Sequence, residues 1–362
     1  MVAWGDDSFG QTSTPAGLTN VLAIAAGEYH SLALKADGTV VEWGFVLSFY
    51  PNTVKEMPAG LSGVIAISCG GGHSLALKAD GSVVTWGDDS FGQLDGQPVG
   101  LSNVVAISGG GTHNLALLSD GTVAAWGDNS HGQTDVPAGL SSVVAVAAGG
   151  LQSLALEAGG TIIAWGSYWD GQDWLPLTIP RPPTNVTAIA VGDNQGLALL
   201  ADGTLMPWGA FPTGMEGGAS LPWGLTNVVA ISCGGSQAAA LLADGTLVAW
   251  GINAWSQSVQ GSIPPGVTNV GAVALGDSFM LAVEGDSPVQ TRVPLFNSAW
   301  SGGVYRFTLP TQSGRVYELQ YCDSLDGANW TPLPLVAGSG GLQSMADRTA
   351  TAPQRFYRVR RW

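Results

Sequence analysis

The chain has 362 residues, enough for one large repeat architecture plus an appendage. Its 53 glycines are about twice the usual share, and its charged residues, at 11%, fall well below the usual quarter, which excludes a helical protein held by surface ion pairs and marks an all-β chain. Residues 1–286 hold four basic and 23 acidic side chains, a balance of −19 that repels phosphate and excludes nucleic acid as a partner, whereas residues 287–362 hold eight arginines and four acids, a balance of +4.

That change of sign divides the chain into residues 1–286 and 287–362. Within the first part Trp-Gly recurs about every 40 residues, at Trp4, Trp43, Trp86, Trp126, Trp165, Trp208 and Trp250. The first full unit reads as an inner strand over Val21–Ala26 and a second strand over Ser31–Lys35. A tight turn at Asp37-Gly38, with positive φ expected at both residues, leads to a third strand over Thr39–Trp43. A polar loop and a short outer strand would complete a four-stranded propeller blade. Asp-Gly recurs at Asp80, Asp120, Asp202 and Asp244, with Gly159-Gly160 in the fourth unit. One glycine closes every inner strand (Gly27, Gly70, Gly110, Gly149, Gly192, Gly234, Gly276), where strands crowd toward the axis and a side chain would strike its neighbour.

The chain opens on a third strand, Val2-Ala3-Trp4-Gly5, and leaves the repeats on a second strand, Leu281-Ala282-Val283-Glu284. The expected fold is therefore a seven-bladed β-propeller closed by its N-terminal strand, which removes open sheet edges. Residues 287–362 alternate as strands around Val304–Leu309, Val316–Tyr321 and Phe356–Val359. The stretch from Tyr317-Glu318-Leu319-Gln320-Tyr321 through Asn329-Trp330-Thr331-Pro332 to Phe356-Tyr357-Arg358 resembles a small β-sandwich module found at the ends of secreted bacterial proteins, which implies a small β-sandwich-like domain. Cys69 and Cys233, each in an Ile-Ser-Cys-Gly-Gly context in a different unit, read as buried free thiols, and no cysteine or histidine spacing suits zinc. No apolar run is long enough to span a membrane, and Met1–Gly5 is already repeat sequence.

Motifs such as Ala25-Ala26-Gly27-Glu28-Tyr29-His30-Ser31-Leu32-Ala33-Leu34 and Trp126-Gly127-Asp128-Asn129-Ser130-His131-Gly132-Gln133 resemble the regulator-of-chromosome-condensation repeat in its short bacterial form. The strand-swapped closure is similar to that of secreted propellers that inhibit β-lactamases. These resemblances imply a monomeric binding or inhibitory scaffold, secreted or in the cell envelope. They do not imply nucleotide exchange on chromatin, a role the acidic body departs from.

Three features could carry function. Loops after Trp-Gly place a large side chain at Phe9, Phe91, His131, Trp169 and Trp255, joined by Phe49 and Tyr50, and the turn itself does not need it. If these point outward they form an aromatic face for a protein or glycan, and if inward they pack between blades. The residue after the strand-closing glycine is acidic at Glu28, Asp193 and Asp277, either as solvated carboxylates or as oxygen ligands for Ca²⁺ at one mouth of the channel. The series His30, His73, His113, Gln152, Gln195 and Gln237 suggests a shared hydrogen-bonding role, with His73 or His113 as general-base candidates. The competing function is thus a calcium-dependent hydrolase of a small ester or lactone at the channel mouth. No nucleophile elbow, phosphate loop or zinc-protease helix supports a specific reaction. Whatever the partner, duplex DNA should not bind at physiological salt, and a micromolar complex with steep salt dependence in a titration would overturn this.

Overall fold

Each repeat folds as an antiparallel triple because two tight connections fit between three apolar runs. The computed structural model of the chain describes residues 1–46, 54–169, 172–179, 183–209, 222, 224–252, 263–284, 296–301, 304–310, 316–323, 330–333, 336–337, 342–349 and 355–361. After β1 (Val2–Gly5) come β2 (Val21–Ala26), β3 (His30–Lys35) and β4 (Val40–Gly44) in one sheet. The second sheet is β5 (Val64–Cys69), β6 (His73–Lys78) and β7 (Val83–Gly87), and the third is β8 (Val104–Gly109), β9 (His113–Leu118) and β10 (Val123–Gly127). The fourth has four strands, β11 (Val143–Ala148), β12 (Gln152–Glu157), β13 (Ile162–Trp169) and β14 (Trp174–Pro176). Then follow β15 (Val186–Val191), β16 (Gln195–Leu200) and β17 (Leu205–Gly209), and β18 (Val228–Gly234), β19 (Gln237–Leu242) and β20 (Leu247–Gly251). The last pair, β21 (Val270–Leu275) and β22 (Phe279–Glu284), takes β1 as its third strand, with Val2 opposite Ala282 and Gly5 opposite Phe279.

Inner strands pack in sequence from β2 to β21, and β2 packs in turn on β21 and β22. The second strand of each sheet is covered on both faces, so it shows no polar alternation: Leu32, Ala33 and Leu34 are fully buried, as are Leu75, Ala76, Leu77, Leu115, Ala116, Leu117, Leu154, Ala155 and Leu156. Alanine between two leucines lets the neighbouring sheet approach while the leucines fill the space on either side.

Two local expectations are corrected. The outer fourth strand occurs, among the described residues, only as β14; after Trp4, Trp86 and Trp126 the segment folds as turns fixed by side-chain hydrogen bonds. The Asp-Gly turns carry positive φ at the glycine alone, as at Gly38 (76°). Gly38 N donates to Lys35 O at 2.9 Å, Lys35 N donates to Thr39 O at 2.9 Å, and Asp37 Oδ1 accepts from Thr39 N at 3.0 Å. This is a three-residue hairpin loop, a turn followed by one left-handed residue, in which the aspartate acts as a cap and need not take positive φ. The sheets are also stitched at this end, since Val64 N donates to Gly38 O and Val104 N to Gly81 O of the preceding hairpin. The left-handed residue that launches most inner strands, Asn20, Asn103, Ser142, Asn185, Asn227 or Asn269, has no counterpart in the sequence expectations.

The strands of the C-terminal segment form two further sheets: β23 (Phe296–Ser301), β24 (Val304–Pro310) and β28 (Leu342–Asp347), and β25 (Val316–Cys322) with β26 (Thr331–Pro332), β27 (Val336–Ala337) and β29 (Phe356–Arg361). They share a core of Phe307, Leu309, Tyr317, Leu319 and Met345. Asp347 is fully buried and accepts from Arg355 Nη1 at 2.6 Å and from Tyr357 Oη at 3.1 Å, so its charge is matched and its carboxyl pKa stays low despite burial. Cys69, Cys233 and Cys322 are all free thiols.

Because β1 covers β22, whose Met280, Leu281 and Ala282 are buried, deleting Met1–Gly5 should expose an unpaired edge and cost several kcal/mol. The melting temperature should fall by about 5 °C or more. Equal melting of full-length and truncated protein would show that the β1–β22 pairing contributes little.

Candidate functional site

The ends of the inner strands surround a cavity of about 310 Å³. Its wall is mostly backbone, because a Cβ on Gly27 would lie 2.7 Å from Gly70 O, one on Gly70 2.5 Å from Gly110 O, and one on Gly276 2.6 Å from Gly27 O. The residues just past these glycines are joined by backbone hydrogen bonds around the mouth: Glu28 N donates to Gly71 O, Gly71 N to Gly111 O, Gly111 N to Gly149 O, Gly150 N to Gly192 O and Asp193 N to Gly235 O. Five of the N–H groups at this position are used in these bonds.

Beneath the glycines lie the His and Gln side chains, all buried. His30 Nε2 lies 2.9 Å from Ser74 Oγ, His73 Nε2 2.8 Å from Asn114 Oδ1 and His113 Nε2 2.9 Å from Ser153 Oγ. Gln152, Gln195 and Gln237 donate to Asp193 O, Gly235 O and Asp277 O. Each bond runs to the next blade. Burial pushes the His30 and His73 pKa values down to about 4 and that of His113 to about 3, so all three are neutral at physiological pH. In this arrangement His73 and His113 serve as links between blades, and neither ring is open to a substrate.

Glu28, Asp193 and Asp277 all line the cavity. Asp277 Oδ1 occupies the space that a Cβ on Gly235 would take, and Asp193 Oδ1 lies 3.1 Å from the Cβ position of Gly150. Each aspartate leans over the glycine of the preceding blade. Among the described residues no three His, Cys, Asp or Glu side chains are grouped to hold a metal ion, so the three acids share a cavity without forming the ligand set expected for Ca²⁺. The Asp193 side chain is exposed toward the cavity; desolvation by the surrounding wall, with Asp277 and Glu28 nearby, raises its pKa to about 6. Burial also raises Glu28 and Asp277.

The loops after Trp-Gly share one wiring scheme. In the first, Gln11 Nε2 donates to Asp6 Oδ2 at 3.0 Å and Gln11 Oε1 accepts from Phe9 N at 2.9 Å. Gln11 O accepts from Trp43 Nε1 of the next sheet at 2.9 Å. Gln93 and Gln133 repeat the pattern with Trp126 and Trp165. The buried glutamines fix the backbone of the large loop residue and leave its side chain free to turn outward: Phe9 is 44% and Phe91 43% exposed. The repeated tryptophans are inter-blade packing, buried at 8% exposure or less at Trp43, Trp86, Trp126, Trp165, Trp208 and Trp250. Where the first sheet lacks such a loop, Glu42 stands in, accepting from Trp86 Nε1 at 2.9 Å and Ser74 Oγ at 3.2 Å.

Two aromatic clusters result. Phe9 packs on Tyr29 (4.6 Å between centroids) and Phe45 (5.8 Å), and Trp174 packs on His131 (4.6 Å) and Trp169 (5.1 Å). Phe45, Trp169, Trp174 and Leu175 are exposed. Both clusters adjoin the cavity: Tyr29 follows Glu28, and Trp169 N donates to Asn194 Oδ1, next to Asp193, at 3.1 Å. Phe49, Tyr50 and Trp255 lie outside the described residues. Gln11, Gln93, Gln133, Glu42, Tyr29, Phe45 and Trp174 are absent from the sequence expectations. For the glutamines the signal was present, as the last residue of each Asp-x-Ser-x-Gly-Gln run.

Residues 64–93 and 104–133 match the sequence model of the regulator of chromosome condensation (RCC1) repeat. Among solved structures, Prp20p from Saccharomyces cerevisiae superposes with a TM-score of 0.60 at 18% identity, over 77% of this chain and 90% of its own. Human WBSCR16 gives 0.58 at 21% identity, over 78% and 99%. The ectodomain of the Arabidopsis thaliana receptor kinase ACR4 gives 0.51 at 20% identity, over 73% and 92%. At these identities the likeness is one of fold. No curated protein matches the sequence.

The raised pKa of Asp193 has a signed consequence. A carboxylate whose folded pKa lies above its unfolded value of 3.8 supports stability below that value, and the support is lost as pH rises toward about 6. Asp193→Asn should therefore raise the melting temperature at about pH 7.5, and the gain should vanish near about pH 4. A gain of equal size at both pH values would mean the effect is not ionisation.

Proposed function

On the premise that this chain is an RCC1-type repeat propeller, we propose that it is a binding scaffold that docks a protein on the end carrying the loops. The observation that carries this reading is the pair of exposed aromatic clusters around Phe9 and Trp169, held by backbone wiring that does not require an aromatic side chain. Large aromatics with a polar rim are the residues that most often dominate protein interfaces. A structural neighbour supports the same class of role, since Prp20p was characterised for its binding to Gsp1p and histones.

Among the described residues no helix is long and apolar enough to cross a membrane. We take residues 287–362 as a separate module that the scaffold carries, with its own core and buried ion pair. Secretion or an envelope location fits a scaffold of this kind.

Trp169→Ala should leave folding nearly intact, because the side chain is 38% exposed and packs mainly on Trp174. A partner isolated by affinity capture and then purified should lose about 2 kcal/mol of binding, roughly thirtyfold in Kd. Asp202→Asn, in a hairpin at the opposite end of the strands, should leave Kd unchanged. A partner sensitive to Asp202→Asn but not to Trp169→Ala or Phe9→Ala would place docking elsewhere.

A further inference from the structure

The chain leaves the propeller on one side of the ring and meets it again on the other. β22 runs from the loop end to the hairpin end, where Glu284 pairs with Val270 at the start of β21. Round the ring from that sheet, β21 packs on β2, β2 on β5 and β5 on β8. It is β8 that β27 of the C-terminal segment approaches, with Cα atoms within 8 Å. β8 has β9 beside it and β5 and β11 on its faces, so it can be reached only from the channel or its ends. The cavity at the loop end has no residue of 287–362 in its wall. A module tied to β22 and resting on β8 therefore lies across the hairpin-end mouth. The burial pattern there agrees. The second residue of each inner strand is passed over by the pairing register, a bulge at this end. Leu22 is 37% exposed and Val229 half-buried, whereas Val105 on β8 and Val144 on the adjacent β11 are 8% and 1% exposed. Valine at the same position is covered beside β27 and more open away from it.

Charge is arranged to match. The hairpins of this end carry Asp37, Asp80, Asp120, Asp202 and Asp244 on a strongly acidic body, while residues 287–362 are net basic, with Arg306 and Arg348 exposed. We infer that residues 287–362 are a stopper for the hairpin-end mouth. The module is an intramolecular ligand of the propeller, seated over the starts of β8 and β11 and drawn there by the acidic hairpins. The channel then opens at the loop end alone, and the hairpin end is occupied by the chain itself and withheld from other partners. This role does not depend on a protein docking at the loop end, and it gives the appended module a task that its own core does not explain.

The test uses the full chain in four variants, Leu22→Cys, Val105→Cys, Val144→Cys and Val229→Cys. Each is treated with a neutral maleimide, and modification of the introduced thiol is followed by peptide mass. Leu22→Cys and Val229→Cys should react about tenfold or more faster than Val105→Cys and Val144→Cys. Melting near that of wild type keeps the comparison within folded protein; should Val144→Cys melt well below it, Val105→Cys against Val229→Cys carries the comparison. The same chains with a protease site inserted after Ser287 are then cut. At low ionic strength the module should stay with the propeller on size exclusion, and the slow thiols should stay slow. In about 1 M salt, where the screening length is about 3 Å, the module should elute separately and the slow thiols should approach the rate of the others. Equal rates for all four thiols in the intact chain would overturn the stopper. Slow thiols that remain slow once the module has been removed would do the same, because the propeller itself would then be what covers them. A module that leaves at low ionic strength, or stays seated in high salt, would overturn charge as what seats it.

Discussion

Where the inner strands converge, backbone meets backbone at distances that exclude a side chain, and much else follows from this contact. Gly27 faces Gly70 O, Gly70 faces Gly110 O, and the series returns from Gly276 to Gly27 O. With no Cβ in the way, the His or Gln three residues on can tuck beneath the glycine and reach the next blade, as His73 does beneath Gly70. The cavity is lined on one side of the glycine by Ala26, Cys69, Ala148, Val191, Cys233 and Leu275, and on the other by the residue after it. Four blades keep glycine there as well, at Gly71, Gly111, Gly150 and Gly235, and two of these make room for the acid of the following blade. Gly150 accommodates Asp193 and Gly235 accommodates Asp277. The carboxylates are thus permitted by the ring and are not demanded by it. Desolvation raises their pKa values, so their ionised forms oppose folding at neutral pH.

A second set of buried amides separates the fold from its surface. Gln11, Gln93 and Gln133 each hold an aspartate, a loop N–H and, through their own carbonyls, the indole of the next sheet. Every one of these bonds is made by backbone groups or by residues other than the large loop residue. The wiring is the same whether that residue is Phe9, Phe91 or His131, which is how neighbouring blades can display different chemistry on one scaffold. Glu42, a carboxylate from a strand, takes over the contact to the Trp86 indole where the loop sequence departs from the motif.

Much of this was legible in the sequence for a physical reason: a structure repeated along the chain must write its constraints repeatedly. The strand-closing glycines, the interchangeable His and Gln, the free thiols at Cys69 and Cys233 and the split sheet completed by Val2–Gly5 all leave periodic marks. What was misread is local. Asp-Gly between apolar runs fits a two-residue turn and a three-residue loop alike, and the cap from Asp37 to Thr39, which distinguishes them, is visible only in three dimensions. Asp193 and Asp277 each lean over a glycine of the preceding blade, a placement that only the three-dimensional packing reveals. Phe45 and Trp174 lie where the repeat pattern lapses, so no period announces them. The aromatic clusters are nonetheless completed by these irregular residues.

That irregularity bears on function. A propeller of identical blades would offer a rotationally uniform rim and could not orient a partner. Here the mouth is acidic at the first, fifth and seventh blades and bare at the others, and the aromatic clusters flank those same acids, with Tyr29 beside Glu28 and Trp169 tied to Asn194. The departures from the repeat are thus co-located in two sectors of one end. Because stability comes from the buried second strands and the glycine ring, these sectors can differ at little cost to the fold. On the proposed reading of this end as a docking face, an asymmetric pairing of negative charge with exposed aromatic area would fix both the position and the rotation of a partner.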